Sequence, residues 1–236
     1  MRQALVCLVI ILLAGAARAD LTLVQKVEGA GGPANEVTVR IKGDKARIDA
    51  TPQISTIVDG KTGEVLTLMK DQKAVVRISA DKMKAAADMI NKFTDKKKST
   101  GPSKPAPTGR KEVINGYEAE EYTVETPIFK AAYWVAPQYP NGAAILKQLQ
   151  AVKSDMWNSA KTKLPDYREL PALPIQTIID LGTSKMTTTL ISAKEDPLAD
   201  SDFAVPADFK EITVPDLGRV EPSEKAETST ASSPHP

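Results

Sequence analysis

The sequence VTVRIKGDKARID, from Val37 to Asp49, decides the fold class. Its first six residues alternate apolar and polar side chains, which is the period of a β-strand with one buried face. The tetrapeptide from Lys42 to Lys45 supplies turn residues, and residues 46–49 return as a second strand. Because a turn this short joins antiparallel neighbours, the stretch predicts a β-hairpin within an antiparallel sheet.

The same pattern continues on both sides of this hairpin. Turn residues at 59–63 and 71–72 separate further apolar segments, which indicates a meander of successive neighbours. The strands predicted in this half are 21–27, 37–42, 46–49, 54–58, 65–69 and 74–78. Four of the five residues over 65–69 are apolar. We therefore expect both faces of that strand to be covered.

A second group of strands follows a change in composition. Residues 96–111 are rich in Lys, Pro, Ser, Thr and Gly, which predicts a flexible insert. Asn115-Gly116 then lies between two strand patterns, and this dipeptide is a strong hairpin signal. The strands predicted in this half are 112–114, 117–124, 128–135, 175–181 and 185–191, and residues 203–212 end the folded part.

Two segments carry apolar side chains at helical spacing and predict helices over 79–96 and 142–161. Their apolar stripes include Met83, Ile90 and Phe93 in the first, and Ile145, Leu149 and Val152 in the second. The order of elements shows no alternation of single strands and helices, so a parallel sheet is not expected. The pattern predicts an α+β fold, with one strongly curved antiparallel sheet and two helices on one face.

The two ends of the chain differ from this domain in composition. Arg2, the apolar run 4–13 and the small residues 17–19 form the three parts of a cleavable signal peptide over 1–19. The apolar run is about half of the ~20 residues that a spanning helix needs. Residues 20–214 are predicted to form a single domain, and the Pro-, Ser-, Glu- and Thr-rich tail 215–236 is predicted to be disordered.

Few residues suited to catalysis or metal binding are present. The only cysteine, Cys7, lies in the signal peptide, and the only histidine, His235, is the penultimate residue. We therefore expect neither histidine- nor cysteine-based catalysis, and no metal or other cofactor. A net charge of +1 argues against a nucleic-acid binder. An exported chain without disulfides is typical of a bacterial periplasm, so we expect a periplasmic or secreted bacterial protein.

Five segments, taken in order, resemble a known family. They are Asp20–Lys26, Val39–Asp49, Asn115–Ala119, Tyr133–Val135 and Phe203–Phe209. Together they resemble an uncharacterised, domain-of-unknown-function family of secreted bacterial proteins, similar to the periplasmic lipoprotein-carrier (LolA- and LolB-like) superfamily. The resemblance implies an incomplete antiparallel barrel, with helices over its concave face and an apolar cavity for acyl chains. It also implies that Arg47 anchors the helical lid by hydrogen bonds.

Our main hypothesis is a non-enzymatic envelope protein that binds a hydrophobic ligand, either a lipid or lipoprotein acyl chains, between sheet and helices. The predicted cavity residues are Val39, Ile41, Leu66, Leu68, Met83, Ile90, Phe93, Trp134, Ile145, Leu149 and Val152. We expect a monomer whose partner is such a ligand or a lipidated protein. The lysine run 96–98 suits either a solvated loop or a peripheral contact with anionic lipid.

Two alternatives stay open. One is a structural or interaction protein of the envelope, with a filled core and no ligand. The other is an enzyme that uses paired carboxylates, for which Asp49, Asp59, Glu118 and Glu120 are the candidates on or near strands.

Overall fold

The computed structural model describes residues 20–29, 32–85, 104–125, 130–151 and 169–212. Within these residues, twelve strands form one sheet. They are β1 Leu21–Glu28, β2 Asn35–Lys42, β3 Lys45–Asp49, β4 Ile54–Asp59, β5 Glu64–Met69, β6 Ala74–Ile78, β7 Ala106–Ile114, β8 Tyr117–Glu125, β9 Lys130–Val135, β10 Pro174–Asp180, β11 Lys185–Lys194 and β12 Lys210–Ile212. The signal peptide and the tail predicted from the sequence lie outside the described residues.

Helical structure occurs at several places in the described ranges. A helix runs from Gly142 to Ala151, and residues 80–85 are helical as well. A short 3-10 helix, Asp200–Phe203, precedes the last strand. The first residues of both predicted helices are thus helical, and their remaining residues lie outside the described part of the chain. No helix in the described ranges has the length and hydropathy needed to cross a membrane.

The strand order is β12-β6-β5-β4-β3-β2-β1-β11-β10-β9-β8-β7. The first six strands lie side by side in chain order, which confirms the predicted meander. Neighbours are antiparallel throughout, except that β12 runs parallel to β6. The sheet does not close on itself, so β12 and β7 are its edges. The prediction of a mainly antiparallel sheet is confirmed, whereas the parallel edge strand was not foreseen.

The hairpin of β7 and β8 shows that the sheet curls strongly at one end. Asn115 and Gly116 form its turn with φ of 51° and 84°, as a type I′ turn requires. The side-chain amide of Asn115 donates a hydrogen bond of 2.9 Å to the carbonyl of Leu190 in β11. Because β8 and β11 are three strands apart, they would be about 14 Å apart in a flat sheet. The hairpin turn must therefore bend back over the sheet.

Strand β7 begins at Ala106, so the prediction of a flexible insert over 96–111 is wrong for residues 106–111. Hydrogen bonds to the neighbouring strand hold this polar stretch. Thr108 Oγ1 donates to Glu121 Oε2 at 2.9 Å, and Arg110 Nη1 donates to Glu121 Oε1 at 3.1 Å. The composition correctly indicated an exposed segment. It did not reveal that β8 supplies backbone and side-chain partners.

The pairing of the strands assigns side chains to two faces, because residues directly opposite each other point to the same side. We call the side of Leu21, Ile41 and Val65 the inner face. The side of Ser55 and Leu68 is the outer face. Val65 is 7% exposed and Leu68 is 1% exposed. The expectation that both faces of β5 are covered therefore holds at Val65 and Leu68, whereas Thr67 and Met69 on the inner face are only half-buried.

The main core lies on the inner face of the central strands. Leu21 and Ile41 belong to one buried cluster with Ile145 and Leu146 of the 142–151 helix and with Trp134 of β9. Ile145 and Leu146 are the fourth and fifth residues of a ten-residue helix, and they are 2% and 7% exposed. Their burial places the start of this helix in the same cluster as Leu21 and Ile41.

The outer face of β4 to β6 is covered by the C-terminal segment. Val205 and Phe209 pack against Leu68 and Val75 in a separate apolar cluster. The backbone amide of Lys210 then donates to the carbonyl of Lys73 at 2.8 Å, which starts the parallel pairing of β12. This segment, rather than a helix, is the cover that the apolar sequence of β5 required on its outer face.

Gly29 marks a close approach of two backbones at the end of β1. Its φ is +84°, and a Cβ placed there would lie 2.3 Å from the carbonyl oxygen of Lys185. We expect Gly29→Ala to lower the free energy of unfolding by about 2 kcal/mol, because the added methyl group displaces backbone as well as straining φ. Gly43→Ala is the control, since its φ is +58° and no heavy atom lies within 4 Å of the added carbon. It should lose about 1 kcal/mol in the same urea titration. Equal losses would argue against the close approach.

Candidate functional site

Beyond the main core, the inner face continues over β3 to β6 as a surface of partly exposed apolar side chains. One row across these strands consists of Ile48, Thr56, Thr67 and Val76, each directly opposite the next and each half-buried. We call this row, together with Val39, Ile54 and Met69 from the same face, the inner apolar surface.

The inner apolar surface carries no charged side chain among its seven residues. Ile54 is 42% exposed, and Ile212, which continues the row beyond Val76, is 43% exposed. Single exposed apolar residues are common on any protein, but a contiguous group across several strands is typical of a binding surface. The surface is therefore suited to contact an apolar molecule.

The structure brings together one group of the predicted cavity residues. Its members are Val39, Ile41, Trp134, Ile145 and Leu149, which belong to or pack against one cluster. Ile41, Trp134 and Ile145 are only 5%, 3% and 2% exposed. These three fill a core rather than line an open space, while Val39 and Leu149 are half-buried at its margin.

Leu66 and Leu68 are not brought to the face of Val39. Leu66 lies opposite Ile57 and Leu68 lies opposite Ser55, so both belong to the outer face. They contact the cluster covered by Val205 and Phe209. Their grouping with Val39 was wrong because four of the six residues of β5 are apolar and they occupy both faces, so a period of two does not tell one face from the other.

The remaining predicted cavity residues lie on the two helical segments. Met83 is half-buried in the helical residues 80–85. Ile90, Phe93 and Val152 lie outside the described residues, so their place in a cavity stays a prediction.

Arg47 lies at the centre of a polar network on the outer face. Its Nε bonds Asp49 Oδ1 at 3.1 Å, and its Nη1 donates to the carbonyl of Asp202 at 2.8 Å. Arg40 forms a second ion pair with Asp49. Arg47 thus joins β3 to the 3-10 helix of the C-terminal segment. Arg47 Nη2 also donates to Ser55 Oγ at 3.4 Å. Its predicted contact with a helical lid stays a prediction.

Most members of this network bind the carboxylate of Asp49. Ser55, which is fully buried, donates its hydroxyl to Asp49, and Lys70 Nζ lies 3.6 Å away. Burial raises the pKa of Asp49, but the Ser55 hydrogen bond and the positive charge of Arg47 together outweigh it. The pKa of Asp49 is consequently below its ordinary value of 3.8.

A polar cleft of about 420 Å³ lies at the end of the sheet near the 3-10 helix. It is lined by Lys42, Asp44, Lys45, Asp59, Lys61, Asp200 and Phe203. Lys42 Nζ and Asp200 Oδ1 form an ion pair of 2.9 Å across it, and this hydrogen bond raises the pKa of Lys42. Three lysines balance three aspartates, so the cleft has no net preference for either sign of charge.

Asp200 and Asp202, spaced as D-x-D, have structural partners. Asp200 pairs with Lys42, and Asp202 Oδ2 accepts from the backbone amide of Ala199 at 3.2 Å. Across the described ranges, no group of three or more His, Cys, Asp or Glu is placed to hold a metal ion.

The sequence interpretation missed the centre of the inner apolar surface, and a signal for it existed. The turn between β4 and β5 pairs Asp59 with Glu64. Counting outward from that pair places Thr56 opposite Thr67 and therefore on the same face. The two threonines were overlooked because they are polar residues within apolar strands.

The fold and this surface define a class: an open, mainly antiparallel sheet domain with an uncharged apolar surface on its inner face. The model of a family described as a domain of unknown function, DUF4412, matches residues 22–209, and the chain belongs to that family. The predicted membership in a domain-of-unknown-function family is confirmed. No match was found among curated proteins.

Several solved structures are similar to the chain. PNGF-II in its C2 crystal form is 13% identical, with a TM-score of 0.38, over 83% of this chain and 31% of that one. The chain thus spans about a third of PNGF-II. LprF from Mycobacterium bovis is 11% identical, with a TM-score of 0.33, over 83% and 92% of the two chains. The LolA superfamily protein NE2245 from Nitrosomonas europaea is 11% identical, with a TM-score of 0.29, over 78% and 89%.

Proposed function

We propose that this protein is an exported, non-enzymatic envelope protein that binds a hydrophobic ligand on its inner apolar surface. The ligand is a lipid or the acyl chain of a lipidated protein. The observation that carries the proposal is the half-buried, uncharged row Ile48, Thr56, Thr67 and Val76 across four strands. Each 100 Å² of apolar surface that a ligand removes from water contributes about 2.5 kcal/mol before the cost of ordering the ligand.

The two helical segments complete the site in this proposal by lying over the concave inner face. Its support is the packing of Ile145 in one cluster with Leu21 and Ile41 of the inner face. Met83 begins the stripe of the first segment and is half-buried. In the sequence, Ile90 and Phe93 continue that stripe at helical spacing.

Three of the four candidate carboxylates bind partners within the protein, which supports a non-enzymatic role. Asp49 is bound by two arginines, and Asp59 Oδ1 accepts the turn amides of Lys61 and Thr62 at 2.9 and 3.0 Å. Glu118 pairs with Lys111 at 3.1 Å. The remaining parts of the proposal rest on the sequence: export by the 1–19 signal peptide, one domain over 20–214, and a monomer in the bacterial periplasm.

A positive charge on the inner apolar surface should weaken binding strongly. We expect Val76→Lys to weaken binding of the apolar fluorophore N-phenyl-1-naphthylamine at least tenfold, because the ligand would desolvate the ammonium group. The matched control is Val24→Lys, since Val24 is also a half-buried strand valine but lies on the outer face. It should bind within twofold of the wild type in a fluorescence titration. Equal affinities of the two variants would contradict the placement of the site.

Native mass spectrometry of the chain from Asp20 to Pro236, purified from a bacterial periplasm, tests the proposal without a probe. Added mass that matches a fatty acid or phospholipid is the expected result. A bare mass that does not change after lipid is added would favour the alternative, a structural or interaction protein with a filled core.

A further inference from the structure

Thr56 and Thr67 place two hydroxyl groups in the middle of the inner apolar surface. The two residues lie directly opposite each other on β4 and β5. Ile48 and Val76 flank the pair in the same row. Both threonines are half-buried, and neither hydroxyl has a hydrogen-bond partner in the part of the chain that the structure describes.

The choice of threonine at these two positions calls for a physical reason. Valine has nearly the same shape and β-propensity, and the inner apolar surface contains it at Val39 and Val76. A hydroxyl on an apolar surface is costly once a ligand displaces its water, unless the ligand supplies a hydrogen-bond partner. The pair therefore favours a ligand with an oxygen atom at this point over a pure hydrocarbon.

We propose that Thr56 and Thr67 form a polar subsite that recognises the carbonyl oxygen of a neutral acyl ester. This inference rests on the proposed function and names the chemical class of its ligand. Each hydroxyl can donate one hydrogen bond, and a carbonyl oxygen has two lone pairs to accept them. The acyl chain then extends along the row towards Ile48 or Val76.

A neutral ester fits this surface better than an ionised carboxylate. The inner apolar surface offers no cation to pair with a carboxylate, and an unpaired charge on an apolar surface is strongly disfavoured. Lys210 lies on the inner face at the rim of the sheet, opposite Ala74. It is two strands from Thr67, about 10 Å across the sheet.

The test is competition for bound N-phenyl-1-naphthylamine by two probes of similar length, methyl laurate and tridecane. In the wild type, methyl laurate should compete about tenfold better than tridecane, as two modest hydrogen bonds allow. In Thr56→Val/Thr67→Val this preference should disappear, while tridecane competes within twofold of its wild-type value. That second readout also shows that the variant keeps its fold and its surface.

Thr38→Val is the matched control, because Thr38 is a half-buried strand threonine on the outer face. Its ester preference should equal that of the wild type. An ester preference that survives in the double valine variant would overturn the subsite and leave the proposed function intact. A wild type from which neither probe displaces the fluorophore would overturn the proposed function, and the subsite with it.

A third competitor, the laurate anion, tests whether a charged headgroup binds at Lys210 instead. If laurate competes better than methyl laurate, and Lys210→Ala removes that advantage while the double valine variant keeps it, the headgroup would belong at the rim. That outcome would also overturn the Thr56–Thr67 subsite.

Discussion

Replacing Leu68 by alanine is expected to lower the free energy of unfolding by about 3 kcal/mol, which is typical of a large-to-small change in a packed core. Leu68 of β5 is 1% exposed, and it belongs to the cluster against which Val205 and Phe209 of the C-terminal segment pack. The shortened side chain would leave a cavity that Val205 and Phe209 cannot fill without moving off the sheet. Urea unfolding of the chain from Asp20, followed by circular dichroism, measures the loss.

Ile54→Ala is the control for this prediction. Ile54 lies on the neighbouring strand but is 42% exposed, so its loss should stay below about 1 kcal/mol. The folded Leu68→Ala protein should also bind N-phenyl-1-naphthylamine as well as the wild type, because Leu68 is on the outer face. A loss as small as that of Ile54→Ala would show that the C-terminal segment does not cover β5.

Asp49→Ala should be about as damaging, with an expected loss of about 3 kcal/mol, because it leaves two guanidinium groups without their counter-ion. Arg40 and Arg47 both pair with Asp49, and the buried hydroxyl of Ser55 donates to it. Asp208→Ala is the control, since the ion pair of Asp208 with Lys73 is exposed. Its removal should hardly change the free energy of unfolding in the same urea titration, because exposed ion pairs contribute little. Equal losses would mean that the polar network around Asp49 contributes no more to the free energy of unfolding than an exposed ion pair does.

The contribution of Asp49 should also depend on pH in one direction. Its pKa in the folded protein is below its ordinary value, although burial raises it, because Ser55 and Arg47 favour the ionised form more. The stabilisation is therefore complete above the unfolded-state pKa of about 3.9 and is lost as the pH falls through the lower folded-state pKa. The wild type should lose stability below about pH 4 more steeply than Asp49→Asn. Parallel pH profiles of the two proteins would contradict this assignment.

Much of the sheet could be predicted because its signals are local. The alternation from Val37 to Lys42 and the Asn115-Gly116 turn each specify structure within a few residues. The C-terminal cover could not be predicted in the same way. Its partners are on β5 and β6, more than a hundred residues earlier in the chain, and no short-range pattern links Phe209 to Leu68. Likewise, β7 forms because it is hydrogen-bonded to β8, and its own composition does not indicate this pairing.

The sequence predicted that the candidate site is apolar, but it did not predict which residues form it. Apolar strands together with apolar helical stripes indicated an apolar surface, and Val39 belongs to it. Leu66 and Thr67 are neighbours in β5 and therefore point to opposite faces. The register of β4 with β5 decides which of them shares a face with Val39, because a shift of one residue exchanges the two faces. The observed pairs place Thr67, and not Leu66, on the face of Val39.

The position of β1 in the sheet has a consequence for the order of events in folding. β1 lies between β2 and β11, so Leu23 is opposite Val39 on one side and Ala193 on the other. During synthesis from the N-terminus, β1 can pair with β2 almost at once, but its second edge has no partner until the chain has grown past β11. Such distant pairing slows folding, and an open strand edge can pair with other chains. The nascent protein is thus most prone to aggregation while β11 is still missing, and a helper protein that shields a strand edge would act in that interval.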